Sequence, residues 1–162
     1  QALERIAALL SIAGEILEAD RRGHPISFIM LDIDLFKQIN DSLGHLAGDR
    51  VLEVLGAMMR DNIRGEDIAC RYGGEEFLLV LPHASPQMAH HRAEELRRLA
   101  ETLCVPFEGR EIALTLSAGI STYPDDGASG DVLIAAADAA LYAAKRAGRN
   151  CVRSAAHSPP RA

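Results

Sequence analysis

The sequence predicts an α+β sandwich of the ferredoxin-like or palm type, a central and mostly antiparallel sheet with helices packed on one face. Three observations predict it. An apolar run from Ile26 to Ile33 reads as a strand buried on both sides, two further runs flank Gly73-Gly74 as the arms of a hairpin, and helical and strand patterns follow one another as α-β-α-α-β-β-α-β-α-β. In that arrangement the end of the first strand and the hairpin tip lie side by side, so Asp32 and Glu75 converge.

Composition sets the limits. A chain of 162 residues, 48% of them hydrophobic, fits one domain with or without an appended helix and excludes disorder for most of its length. The net charge of −6 argues against a duplex nucleic-acid partner but leaves room for a single nucleotide, which takes only a few local cations. Cys70, Cys104 and Cys151 are odd in number and widely spaced, which indicates neither a disulfide framework nor a zinc site and fits a reducing cytoplasm. No apolar run approaches the roughly 18 residues of a membrane span. A first residue other than Met suggests a piece of a longer chain.

In residues 1–22 the apolar positions Leu3, Ile6, Leu10, Ala13 and Leu17 recur three and four apart, the seam of an amphipathic helix. That seam packs on the domain or continues an upstream linker or coiled coil. Gly23 and Pro25 end the helix, and the main folded domain is expected over 23–153. The first strand closes on Asp32-Ile33-Asp34, whose carboxylates share a face by alternation. Asp34 is the simplest N-cap for a helix from Leu35. Asp32, an acid inside an apolar strand, needs a cation nearby. A turn at 40–45 leads to a helix over Ala47 to Asn62, with Val51, Leu52, Leu55, Met58 and Met59 on its core face.

Ile68 to Cys70 and Phe77 to Leu81 form the hairpin arms, and the glycines supply the positive φ of a tight turn. Adjacent Glu75 and Glu76 at the tip gain nothing from a bare turn, which points to a cation or a proton-transfer role; solvated gatekeepers are the alternative. Ser85 caps a helix to about Leu103, Ile112 to Tyr123 alternates as one strand, Pro124 to Gly127 turns, and an Ala-rich helix runs from Asp131 to Ala147. Cys151 and Val152 allow a short last strand, and 154–162, with two prolines, reads as a disordered tail.

Asp32 and Glu75 are hard oxygen donors of the kind Mg²⁺ takes, with its other positions left to water and phosphate. The helix start at Leu35-Phe36-Lys37 favours an anion. Lys145 and Arg149, four apart, are close if the helix reaches that far, and metal, helix start and paired cations together describe a triphosphate site. On spacing alone the last pair reads as a C-terminal helix cap.

Gly73-Gly74-Glu75-Glu76-Phe77 resembles the signature of the GGDEF family of bacterial diguanylate cyclases in its GGEEF form. Phe28 to Asp34, Phe36-Lys37, Ile39-Asn40-Asp41, Gly44-His45, Gly48-Asp49, Leu116 to Ile120, Pro124 to Gly127, Ala137-Asp138, Leu141-Tyr142, Ala144-Lys145 and Gly148-Arg149-Asn150 resemble the family in the same order. The likeness spans about 22–152. It implies condensation of two GTP into cyclic di-GMP and two pyrophosphates by a homodimer under an upstream sensory or regulatory domain. It implies Mg²⁺, with Mn²⁺ as a substitute, on Asp32, Glu75 and the Ile33 carbonyl. Glu75 would also deprotonate the attacking 3′-hydroxyl, and Lys37 would stabilise the transition state.

By the same likeness Asn40 and Asp49 contact guanine, Phe36 and His45 are further substrate contacts, and Lys145 and Arg149 hold phosphate. A carboxylate accepts from guanine's N1–H and exocyclic amine together, a pattern adenine lacks. Arg64-Gly65-Glu66-Asp67 resembles the family's Arg-x-x-Asp inhibitory site for the product, with Arg92, Arg97 or Arg98 as candidates to complete it; a helix-end salt bridge is the alternative. The family's usual Asp-x-Leu-Thr-Gly-Leu-x-Asn-Arg-Arg opening has no counterpart here. Two readings of other classes stand beside the enzyme: a weak catalyst acting as a cyclic di-GMP receptor, and a dimerisation module.

Overall fold

The computed structural model describes residues 2–156. The elements are α1 (Ala2–Arg22), β1 (Ile26–Ile33), α2 (Phe36–Leu43), α3 (His45–Asp61), β2 (Ile68–Arg71), β3 (Glu76–Pro82), α4 (Pro86–Thr102), β4 (Cys104–Phe107), β5 (Arg110–Ala113), β6 (Leu116–Tyr123), α5 (Gly130–Arg146) and β7 (Val152–Ser154). The main sheet has the order β2-β3-β1-β6-β7, antiparallel throughout except for the parallel pair β6–β7. Every residue of β1 is buried, as its unbroken apolar run predicts for a strand paired on both edges and covered on both faces.

Helices cover both faces of the sheet rather than one. Ile29, Leu31, Ile33, Leu79 and Ile120 pack with Val51, Leu55, Ala93 and Leu96 of α3 and α4, while Phe28, Met30, Leu78 and Val80 pack with Leu133, Ala137 and Leu141 of α5 and Ile12 of α1. The uniform apolarity of β1 required this, since a one-sided sandwich would leave alternate residues wet. Asp32 lies in strand period with Phe28 and Met30 and so faces α5. Gly119 on β6 brings that helix close: a Cβ there would lie 2.1 Å from the Ala137 carbonyl oxygen and 2.2 Å from the Leu141 nitrogen.

The α1 seam is turned to solvent, with Leu3 at 82%, Leu10 at 70% and Leu17 at 68% exposure. The row that packs on the domain is Ala8, Ile12 and Ala19, with Ile16 half-buried. Two apolar rows share this helix, and the slimmer one fits against the start of α5, where a Cβ on Gly130 would already lie 3.2 Å from Ile12 Cγ2.

The single strand expected over Ile112 to Tyr123 is two strands in different sheets. β4 and β5 form their own hairpin around Glu108 and Gly109, both left-handed at φ 47° and 74°, with Val105 opposite Ile112 in the core. Gly73 and Gly74 do not take positive φ. Their loop is closed by the Tyr72 and Gly73 N–H groups donating to the Glu76 carbonyl at 2.8 and 3.3 Å. Ser154, expected in the tail, belongs to β7, and the Ala155 N–H continues the pairing onto the Ile120 carbonyl at 2.7 Å. Residues 157–162 of that tail lie outside the described residues.

Candidate active site

The register of the sheet brings the acidic groups together. Asp32 pairs with Glu76 across β1–β3, and the Ile33 N–H reaches the Glu75 carbonyl at 3.4 Å, so the signature glutamates meet the end of the first strand. Asp32 is 3% exposed, and its Oδ2 accepts from Lys145 Nζ at 2.7 Å. This is the cation the buried acid demanded, delivered by the last turn of α5 over Gly119.

Burial raises the Asp32 carboxyl above its ordinary range; Lys145 opposes the shift, and the negative charges of Glu75 and Asp34 reinforce it. Glu76 is raised as well, first by burial and then by Asp32 and Asp138. One ammonium thus faces a cluster of carboxylates, an excess of negative charge on hard oxygen donors that suits a divalent cation. Among the described residues no three His, Cys, Asp or Glu side chains are grouped closely enough to hold a metal ion by themselves.

Asp34 does not cap α2. The residue before that helix is Leu35, left-handed at φ 57°, and no side chain caps it. Asp34 turns inward instead, accepting from the Thr115 and Ser117 hydroxyls at 2.7 and 2.6 Å and from the Asn150 N–H at 2.9 Å. Three donors make a buried carboxylate tolerable without a cation. Lys37 is exposed in the first turn of α2, and Phe36 beside it is buried.

Asn40 and Gly48 are fitted to each other. A Cβ on Gly48 would lie 1.9 Å from Asn40 Oδ1 and 3.0 Å from Phe36 Cζ, so only glycine admits this amide between α2 and α3. Asn40 Oδ1 is buried and has no hydrogen-bond partner among the described residues. A buried acceptor without a donor is costly, and it identifies a position where a ligand N–H would be welcome. Asp49, one residue on, is exposed on the wall of a cleft of about 790 Å³ between α1, α3 and β2 that also reaches Arg71 and Phe77. His45 is exposed at the start of α3.

Arg149 is not one helical turn beyond Lys145. α5 ends at Arg146, and Arg149 lies after Gly148 in the left-handed region at φ 63°. Arg64 and Asp67 are not a side-chain salt bridge: Asp67 Oδ2 accepts from the Arg64 N–H at 2.8 Å and from Arg92 Nη2 at 3.2 Å. Of the three arginines considered on α4, Arg92 therefore adjoins Asp67. Arg97 turns away to Glu94, Glu101 and Asn150, and Arg98 to Glu94. Arg64, Asp67, Arg92, His83 and His91 line a separate cleft of about 650 Å³.

Arg71 carries a role that sequence alone left unassigned. Its Nε donates to the Gly74 carbonyl at 3.0 Å and to the Gly73 carbonyl at 3.3 Å, so it clamps the loop that presents Glu75. Its place in front of the paired glycines was the available signal. Behind it, the Arg5 guanidinium lies 4.3 Å from the centre of the Tyr72 ring and ties α1 to the same hairpin.

Residues 3–151 match the family described as diguanylate cyclase, GGDEF domain. The chain belongs to the GGDEF family. Diguanylate cyclase A of Treponema denticola is 41% identical over 147 residues, covering 91% of this chain and 40% of that protein. Diguanylate cyclase DosC of Escherichia coli is 43% identical over 142 residues, covering 85% of this chain and 30% of the relative. The chain therefore spans well under half the length of these relatives.

Among solved structures, the active GGEEF domain of a diguanylate cyclase from Vibrio cholerae superposes with a TM-score of 0.86 at 34% identity, covering 94% of this chain and 96% of that one. The GGDEF domain of DgcB from Caulobacter crescentus, solved in complex with c-di-GMP, gives 0.84 at 33% identity, with coverages of 89% and 85%. The GGDEF match takes in α1 as well as the segment from Arg22 onward. Among the described residues no helix is long and apolar enough to cross a membrane.

Proposed function

We propose that this domain is a diguanylate cyclase that joins two GTP molecules into cyclic di-GMP and is restrained by its product at Arg64 and Asp67. The observation that carries the reading is the meeting of Asp32, Glu75 and Lys145 at one end of the sheet. In each half of the reaction a 3′-hydroxyl oxygen bonds to the α-phosphorus of the other GTP, and the α–β phosphoanhydride bond breaks. Pyrophosphate leaves with the electron pair, and the hydroxyl proton passes to the Glu75 carboxylate.

Asp32, Glu75 and the Ile33 carbonyl would hold Mg²⁺ or Mn²⁺, which when bound supplies charge neutralisation at the triphosphate. Lys37, Lys145 and Arg149 offset the charge that develops on the phosphates. Asn40 and Asp49 read guanine: the unpartnered Asn40 oxygen accepts an N–H, and the Asp49 carboxylate suits the donor edge that adenine lacks. His45 and Phe36 border the same nucleotide.

Each subunit presents one GTP, so two must face each other to close both phosphodiester bonds, and specific activity should fall on dilution. The pairing of Arg92 with Asp67 favours a product site completed within one chain, where an arginine fork and a carboxylate meet guanine's two edges. Incubation of the purified protein with GTP and Mg²⁺ tests the proposal. Cyclic di-GMP and pyrophosphate should accumulate, and their absence at high protein concentration would favour a receptor role through Arg64 and Asp67.

A further inference from the structure

α5 ends in a Schellman arrangement, with the Gly148 N–H on the Lys145 carbonyl at 3.4 Å and the Arg149 N–H on the Ala144 carbonyl at 3.1 Å. The two residues that follow are also left-handed, Arg149 at φ 63° and Asn150 at φ 45°. A long side chain seldom enters this region, and the conformation persists only where its surroundings over-determine it. Here the surroundings act through Asn150. Its N–H donates to Asp34 Oδ2 at 2.9 Å, its Oδ1 accepts from Arg97 Nη1 at 2.8 Å, and its Nδ2 donates to Glu101 Oε1 at 3.1 Å.

Each of those partners is itself held. Thr115 and Ser117 fix Asp34, while Glu94 and Glu101 grip Arg97, whose side chain is only 14% exposed. Asn150 is thereby fastened on one side to the strand end two residues from Asp32 and on the other to α4. The residue directly before this anchor is Arg149, whose guanidinium makes no hydrogen bond or ion pair among the described residues. A cation with an ungripped head on a tightly gripped backbone is arranged to receive an anion.

We propose that Asn150 is a positioning residue: it holds the loop after α5 so that Arg149, together with Lys145, meets the nucleotide phosphates, while making no contact with the base itself. The proposal rests on the reading of Lys145 and Arg149 as phosphate contacts. It explains why Asp34, so near the acidic cluster, is satisfied by hydroxyls and a backbone N–H, and why α4 places the half-buried Arg97 against this loop.

The test is calorimetric titration of GTP and of guanosine into wild type, Asn150→Ala and Asn150→Gly. Glycine keeps the left-handed backbone and the N–H bond to Asp34 but loses both ties to α4, so it remains informative if the alanine variant fails to fold. GTP should bind roughly tenfold more weakly to the variants, with guanosine affinity unchanged. Unchanged GTP affinity in a folded variant would overturn the proposal, and so would an equal loss for GTP and guanosine. Because the readout is binding, a lack of cyclic di-GMP synthesis would count against the cyclase reading alone.

Discussion

Lys145 Nζ lies 2.7 Å from Asp32 Oδ2, joining the last turn of α5 to the buried end of β1. Because burial raises the Asp32 carboxyl and Lys145 is the group that lowers it, removing the ammonium leaves a buried charge with no counterion. Lys145→Met should cost about 1–3 kcal/mol in urea unfolding at pH 7. The sign with pH follows from the raised value. As pH falls through the window above the ordinary carboxylate range, Asp32 takes up a proton in the folded state, and the gap between variant and wild type should narrow. A gap that is constant with pH would show that Lys145 acts only by packing its methylenes.

Gly48→Ala tests the proposed guanine-binding role of Asn40 without replacing a polar group. Its Cβ would overlap Asn40 Oδ1 and push that amide out of place. GTP binding should weaken by about 1–3 kcal/mol, with a smaller effect on ATP, as expected when a buried hydrogen bond is lost. Competition binding of the two nucleotides checks it. Equal losses would make the Asn40–Gly48 contact structural only.

Much of this was legible in the sequence. The strand at Ile26 to Ile33 and the Ser85 cap follow from hydrophobic period and turn chemistry, which act locally, and the approach of the hairpin tip to the end of that strand follows from the sheet topology these elements imply. What was not legible depended on tertiary choices. On α1 two apolar rows compete, and only the partner surface decides that Ile12 goes inward and Leu10 outward. The β4–β5 hairpin turns on Glu108-Gly109, a weaker signal than Asn-Gly, and Pro106 in its first arm argues against a strand. Asp34 looked like a cap because capping is local, whereas its real donors, Thr115, Ser117 and Asn150, are more than 80 positions away. The choice of Arg92 over Arg97 required knowing how α4 lies against Asn62 and Asp67.

Arg64→Ala and Arg92→Ala should each abolish tight binding of cyclic di-GMP and raise the amount accumulated from GTP, while the initial rate stays near that of wild type. Titration of cyclic di-GMP into both variants checks this. Wild-type affinity in both, with only a loss of stability in Arg92→Ala, which breaks an ion pair to the largely buried Asp67 and a bond to the Asn62 carbonyl, would remove the inhibitory site from the account.

The most direct test of the Asp32–Glu75 centre is Glu75→Gln, assayed for cyclic di-GMP from GTP and Mg²⁺ beside wild type at equal concentration. The change removes a charged oxygen donor and the proton acceptor together while nearly preserving side-chain volume. Synthesis should be lost with the unfolding transition intact; near-normal turnover by a well-folded Gln variant would contradict the assignment.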